Sequence, residues 1–142
     1  MTVKQLSVFV ENRRGRLGEV LAVLKNNHVN ILSMSLADTT EYGLLRLIVS
    51  DPECGRESLI AAGFSSMVTE VLIIKIPHRA GSLQEILAVV AAREISVEYM
   101  YGLSVGTADA CVVMKTGDLA AAIAVLRECG IKTLTAEELA AL

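Results

Sequence analysis

Asn12-Arg13-Arg14-Gly15-Arg16-Leu17 and His78-Arg79-Ala80-Gly81-Ser82-Leu83 are two versions of one short stretch, called here the first corner and the second corner. Each follows an apolar run typical of a strand and opens a run with helical spacing. The second glycine follows the first by 66 residues, and so does the final leucine. The same offset continues beyond the corners, where it matches Glu19 with Glu85, Leu21 with Leu87, Val23 with Val89, Ile31 with Val97 and Met34 with Met100. The chain is therefore interpreted as two copies of one small unit.

Composition limits the classes of partner. The chain has 142 residues, enough for one ordinary domain or two very small ones. Hydrophobic residues make up 53% and aromatic residues only 4%, so the core must be aliphatic. The net charge of −3 lacks the basic excess that nucleic acid or an anionic membrane requires, although Arg13, Arg14 and Arg16 form a local basic cluster. We expect neither a nucleic-acid partner nor a membrane partner.

The termini and the cysteines indicate the compartment. The amino terminus begins with an alternating strand pattern instead of a signal peptide. The apolar runs are far shorter than the roughly 20 residues that span a bilayer. Cys54, Cys111 and Cys129 are widely spaced and form no CxxC, which favours a reducing compartment and argues against structural zinc. The sequence therefore predicts a cytoplasmic protein without a metal or other cofactor.

Apolar periodicity predicts the elements of the first copy. In chain order they are a strand at 3–10, a helix at 17–27 that ends near Asn26 and Asn27, strands at 29–37 and 44–49, and a helix at 51–62. Asp51-Pro52 is typical of a helix start, and Gly63 of a helix end. Ser66–Ile76 is long for one strand. We interpret it as the last strand of the first copy passing directly into the first strand of the second.

The second copy repeats this order. Its predicted elements are a strand at 71–76, a helix that begins at Leu83, strands at 95–103 and 110–115, a helix at 119–129 and a short strand at 131–134. Thr135 and Glu138 form a capping-box pattern before a short final helix. Each copy is thus β-α-β-β-α-β, the order of the ferredoxin-like split βαβ motif, and the class is α+β. We predict domains at 1–69 and 70–142. Open sheet faces and edges favour pairing, so a homodimer is expected.

The chemistry of the corners follows from their position. A glycine before a helix allows a sharp turn and close approach to the main chain. The amides around 15–18 and 81–84 lack helical partners, and with the helix dipole they favour a carboxylate or phosphate. Asn12 and His78 stand three residues before each glycine. The doubling favours a ligand site, while duplicated folding constraints alone remain an alternative.

At these residues the chain resembles the ACT domain, whose usual corner motif is Asn or Asp, Arg, Pro, Gly, any residue, Leu. Arg14 and Ala80 stand where the family often has Pro, and His78 stands where it often has Asn or Asp. The resemblance covers essentially the whole chain as a tandem pair. It implies a non-enzymatic regulatory module that binds a small ligand, commonly an amino acid, often where two domains pair side by side.

The resemblance also implies which residues bind. It places Asn12, Arg13, Arg14, Gly15, Arg16 and Leu17 in one ligand corner, and His78, Arg79, Ala80, Gly81, Ser82 and Leu83 in the other. The amides would hold the carboxylate of a small L-amino acid, and Asn12 or His78 would contact its amino or carboxyl group. Asn30 and Ser96, which match at the same offset, would close the pocket, or are ordinary strand-start residues. Occupancy would be passed to a regulated protein partner or to the oligomeric state.

Other functions were weighed on the same residues. An arginine in the first loop of a ferredoxin-like unit resembles acylphosphatases, with Arg16 for phosphate and Asn30 for water, and a plain interaction module without a ligand is the other alternative. Gly102–Gly106 spells GxSxG, but it runs from a strand into a turn and has no histidine after it. His28 and His78 have no second ligand at metal-binding spacing. No catalytic residue is predicted.

Overall fold

In a computed structural model, which describes residues 2–38, 41–103 and 109–142, the chain divides into two compact units. One unit is Lys4–Thr69, and the other is Glu70–Leu142 with the first residues of the chain. Each unit follows the order β-α-β-β-α-β. The predicted α+β class and the two ferredoxin-like units are confirmed.

The elements of the first unit are β1 (Val3–Glu11), α1 (Arg16–Asn26), β2 (Ile31–Asp38), β3 (Tyr42–Val49), α2 (Pro52–Ala61) and the first part of β4 (Ser65–Ile76). β3 pairs antiparallel with both β1 and β2, and β4 is next to β1 in the strand order. Alternate side chains of the sheet face α1 and α2 and form the core, whose fully buried members include Leu6, Val8, Val20, Leu24, Leu45, Leu47 and Leu59.

The second unit continues from β4 with α3 (Ser82–Ala92), β5 (Val97–Leu103), β6 (Ala110–Thr116), α4 (Leu119–Glu128), β7 (Lys132–Thr133) and α5 (Ala136–Ala140). β6 pairs antiparallel with β4 and β5, and β7 pairs with the end of β4 at Ile74 and Lys75. Its core on the helix side includes Leu72, Ile74, Ile86, Val90, Met114, Ala122 and Leu126. Among the described residues, no helix is long and apolar enough to cross a membrane.

Local capping explains where several helices begin. The Asp51 carboxylate accepts a hydrogen bond from the Cys54 amide at 3.1 Å, and Asp118 caps α4 in the same way. The predicted capping box before α5 is present, because the Thr135 hydroxyl accepts from the Glu138 amide at 3.1 Å and the Glu138 carboxylate accepts from the Thr135 amide at 2.9 Å. These contacts depend on residues close in sequence, which is why the sequence predicted them.

β4 is a single strand of 12 residues that begins in the first unit and ends in the second, as interpreted from Ser66–Ile76. The end of α1 differs from the prediction, because the left-handed residue is His28 (φ 57°) and neither Asn26 nor Asn27. A Schellman motif places it there, since the Val29 amide donates to the Leu24 carbonyl. Glu94 (φ 58°), 66 residues later, repeats this ending at α3.

Candidate functional site

The two corners have one backbone conformation. Gly15 (φ 85°, ψ −10°) precedes α1, and Gly81 (φ 86°, ψ −10°) precedes α3. Left-handed values of this kind favour glycine, since other side chains crowd the following carbonyl. The turns agree as well. The Arg16 amide donates to the Arg13 carbonyl at 3.2 Å, and the Ser82 amide donates to the Arg79 carbonyl at 3.3 Å.

Each corner leaves backbone donors unused. Within the described residues, no hydrogen-bond acceptor is found for the amides of Arg14, Gly15, Leu17 and Gly18, or for those of Ala80, Gly81, Leu83 and Gln84. The helical ladder begins only at Glu19 and Glu85, whose amides donate to the corner glycines at 3.1 and 3.0 Å. Unpaired amides at the positive end of a helix are suited to an anionic oxygen.

The side chains of the first corner are largely engaged within its own unit. Arg16 forms ion pairs with Glu19 at 2.5 Å and with Glu11 at 3.7 Å, and its guanidinium carbon lies 4.2 Å from the centre of the Phe64 ring. Arg13 lies 3.6 Å from the same Glu11 carboxylate. The arginine charge that the sequence places at this corner is thus balanced by two carboxylates. Asn12 and Arg14 are exposed.

The second corner differs in its side chains. Arg79 binds Glu85 through both guanidinium nitrogens, at 3.0 and 3.4 Å, and both side chains are exposed. Ser82 occupies the position of Arg16 and is only 4% exposed. Its hydroxyl has no hydrogen-bond partner among the described residues. His78 is exposed at the start of the turn.

The corners open onto cavities of different size. A groove of about 780 Å³ extends from the second corner along α3, and its lining includes Gly81, Leu83, Leu87, Ala91, Ala110 and Val112. The cavity at the first corner has about 240 Å³ and is lined by residues that include Val10, Asn12, Leu17, Leu36 and Gly43. Small-molecule sites usually have roughly 300–1,000 Å³, so only the groove of the second corner, among the corner cavities of the described chain, falls in that range.

One side chain explains the difference. Leu36 of β2 lies over Gly43, where an added Cβ would be 3.0 Å from its Cδ1 atom. Gly102 stands 66 residues after Leu36 and holds the same place on β5, because it pairs with Val112 as Leu36 pairs with Leu45. A Cβ built on Gly102 meets no described atom within 4 Å. The first corner is therefore covered where the second is open.

Sequence reasoning missed Leu36 and Gly102. It compared the copies where they agree, and this pair is a position where they disagree. The available signal was the offset of 66 itself, applied to mismatched residues on the second strand of each copy.

Asn30 and Ser96 lie away from the corner of their own unit. The Asn30 amide donates to the Ser50 hydroxyl at 2.9 Å, beside the start of β2, where Ile31 pairs with Val49. The first corner follows the opposite end of β1, where Glu11 pairs with Tyr42. Ser96 likewise precedes the far end of β5. A strand that follows a helix begins where the helix ends, which separates these residues from the corner at which the helix begins.

The remaining candidates carry no site. No cluster of metal-ligating side chains occurs in the described part of the chain, and its three cysteines are free. Cys111 is buried in β6, and this burial raises the pKa of its thiol. Of the GxSxG stretch, Gly102 and Leu103 end β5, whereas residues 104–106 lie outside the described residues.

Comparison with known proteins identifies relatives. A family model described as an ACT domain pair matches residues 1–142. The crystal structure of protein BT0572 from Bacteroides thetaiotaomicron is 35% identical, with 100% of this chain and 98% of that chain covered and a TM-score of 0.93. The regulatory subunits of aspartate kinase from Thermus thermophilus and Thermus flavus are 10% and 13% identical, and both give a TM-score of 0.61. The matches cover 88% and 87% of this chain and 90% and 88% of those chains. No curated protein matches the sequence.

Proposed function

The chain belongs to the ACT domain family as an ACT domain pair, and we propose that it is a non-catalytic regulatory protein whose second corner binds a small L-amino acid. The observation that carries this proposal is the set of unpaired amides at the start of α3, on residues that line a groove of about 780 Å³. Amides and groove together offer a place for a charged head and for a side chain.

The chemistry of the head group follows from the corner. The carboxylate accepts hydrogen bonds from the free amides of Gly81, Leu83 and Gln84, and the dipole of α3 stabilises its charge. His78 at the mouth offers an imidazole nitrogen that can accept from the ammonium group when the ring is neutral. The amides are held by the backbone, so little ordering is required when the ligand binds.

Thermal unfolding in the presence of each of the twenty amino acids tests the proposal. A ligand at about 100 times its dissociation constant stabilises the fold by about 2.7 kcal/mol. For a chain of this size that corresponds to a rise in Tm of roughly 5–10 °C. The absence of any shift at millimolar concentration of every amino acid would overturn the proposal.

The acylphosphatase-like alternative receives no support from Arg16, because Glu11 and Glu19 already neutralise its charge. Hydrolysis of acetyl phosphate that disappears in Arg16→Ala would establish that activity and replace the regulatory proposal. No turnover above the uncatalysed rate is expected.

Occupancy is proposed to reach a protein partner through assembly, with a homodimer as the basic state. β2 of the first unit and β5 of the second end the described strand order, and Phe9 is 48% exposed on the sheet face away from the helices. Light scattering across a concentration series, with and without the amino acid, measures the state. A chain that stays monomeric in both conditions would contradict this part.

A further inference from the structure

We infer that the two corners are unequal: the second takes one amino acid with a large apolar side chain, and the first, closed by Leu36, takes none. This inference rests on the proposed function and specifies its ligand class and its stoichiometry. It follows from the lining of the groove, from its length and from the exchange of Leu36 for Gly102.

The lining of the groove selects the side chain. Beyond the corner, the walls are aliphatic: Leu83, Leu87 and Ala91 from α3, Ile76 from β4, and Ala110 and Val112 from β6. The lining contains no Asp, Glu or Lys within the described residues, and its one arginine, Arg79, is paired with Glu85. A charged or strongly polar ligand side chain would lose its hydration without a partner, which is unfavourable.

The direction of the groove agrees with an extended side chain. It begins at the free amides and continues along α3 past Leu83 and Leu87 to Ala91. At 1.5 Å per helical residue, the distance from Leu83 to Ala91 is about 12 Å. A leucine or phenylalanine side chain can lie along this wall while its carboxylate remains at the amides. Alanine or glycine would leave most of the wall in water.

The first corner lacks that wall. Leu36 covers Gly43, and the remaining cavity of about 240 Å³ is below the usual range for a ligand site. In the second unit the equivalent position is Gly102, which places no side chain over the groove. Leu36 and Gly102 are therefore the residues that decide which corner is open.

Isothermal titration calorimetry of the whole chain tests this inference, with L-leucine, L-phenylalanine, L-alanine and L-aspartate as ligands. One leucine or phenylalanine per chain is expected. Each methylene in an apolar pocket changes affinity by about 10–200-fold, so alanine should bind at least about 100-fold more weakly than leucine. Aspartate should bind no better than alanine.

Two variants separate the corners. Gly102→Leu should weaken leucine binding at least tenfold, whereas the matched control Gly117→Leu should bind as the wild type does, because Gly117 is outside the groove and a Cβ there meets no described atom within 4 Å. Leu36→Gly should raise the stoichiometry toward two. Circular dichroism establishes that each variant is folded.

The outcomes distinguish the two proposals. If no amino acid binds, the proposed function fails. If two molecules bind to the wild type, if aspartate equals leucine, or if Gly102→Leu binds normally, the unequal-corner inference fails while amino-acid binding stands. A dimer that Gly102→Leu disrupts, with no effect of any ligand, would assign the groove to a second copy of the chain and overturn the inference.

Discussion

Replacing Gly15 or Gly81 with alanine isolates the backbone cost of a corner. The two residues have nearly identical left-handed angles, and a Cβ on either meets no described atom within 4 Å. Steric contact therefore contributes nothing, and the cost is that of the left-handed conformation, about 1–2 kcal/mol. The smaller conformational entropy of the unfolded alanine chain offsets about 0.4–1 kcal/mol of this. Each variant should lose about 1 kcal/mol of unfolding free energy.

Urea unfolding measures these two losses. Both variants should lower the midpoint without changing the m-value, and the two losses should agree within about 0.5 kcal/mol. In a thermal scan the corresponding decrease is about 3 °C. A neutral effect at either position, or a difference above about 1 kcal/mol between them, would refute the reasoning, because contacts and not the backbone would then set the cost.

Valine at the same positions separates stability from binding. A β-branched residue fits poorly at positive φ, so each valine variant should disturb the amides of its own corner. Affinity for leucine should fall in Gly81→Val and stay unchanged in Gly15→Val, although both lose similar stability. An equal loss of affinity in both variants would show that valine acts through global destabilisation.

Three further predictions concern the scaffold. Gly55→Ala places a Cβ 2.9 Å from Cδ2 of fully buried Leu6, so an overpacking cost of about 1–3 kcal/mol should exceed the helix-propensity gain of about 1 kcal/mol and lower the urea midpoint; a raised midpoint would contradict this. Hydrogen bonds from the Thr135 amide and then from Lys132 lower the pKa of Glu138, so its carboxylate stabilises the fold above the unfolded pKa and loses this effect as pH falls through the folded pKa. The stability difference between wild type and Glu138→Gln should therefore shrink as pH is lowered from about 7 to about 3, and a constant difference would be inconsistent. Iodoacetamide should label exposed Cys129 in the folded protein and buried Cys111 only in urea, as mass spectrometry would show, unless β6 opens readily.

Local signals made the fold predictable from the sequence. The Asp51 cap, the Thr135 capping box and the glycine corners involve residues within a few positions of one another, so spacing alone identifies them. The offset of 66 then fixed the element order of one copy from the other. The confirmed tandem ferredoxin-like architecture follows from these signals together.

The candidate site was less predictable because cavity volume depends on neighbouring strands. Leu36 reaches Gly43 across the pairing of β2 with β3, and no pattern along one strand reveals that contact. Arg16 and Glu19 are three residues apart on a helix, but the second carboxylate, Glu11, comes from the preceding strand. Sequence similarity between the copies drew attention to what the corners share, whereas the groove is set by what they do not share.

The cover that Leu36 forms over the first corner also determines the form of a dose–response curve. A chain with a single open corner binds its effector hyperbolically, with a Hill coefficient of 1 for an isolated molecule, since there is no second site to which binding can be coupled. Any steeper response must arise between chains in an assembly. By converting a duplicated domain into one receptor and one closed copy, this leucine makes the monomer a graded reporter of effector concentration and reserves switch-like behaviour for the oligomer.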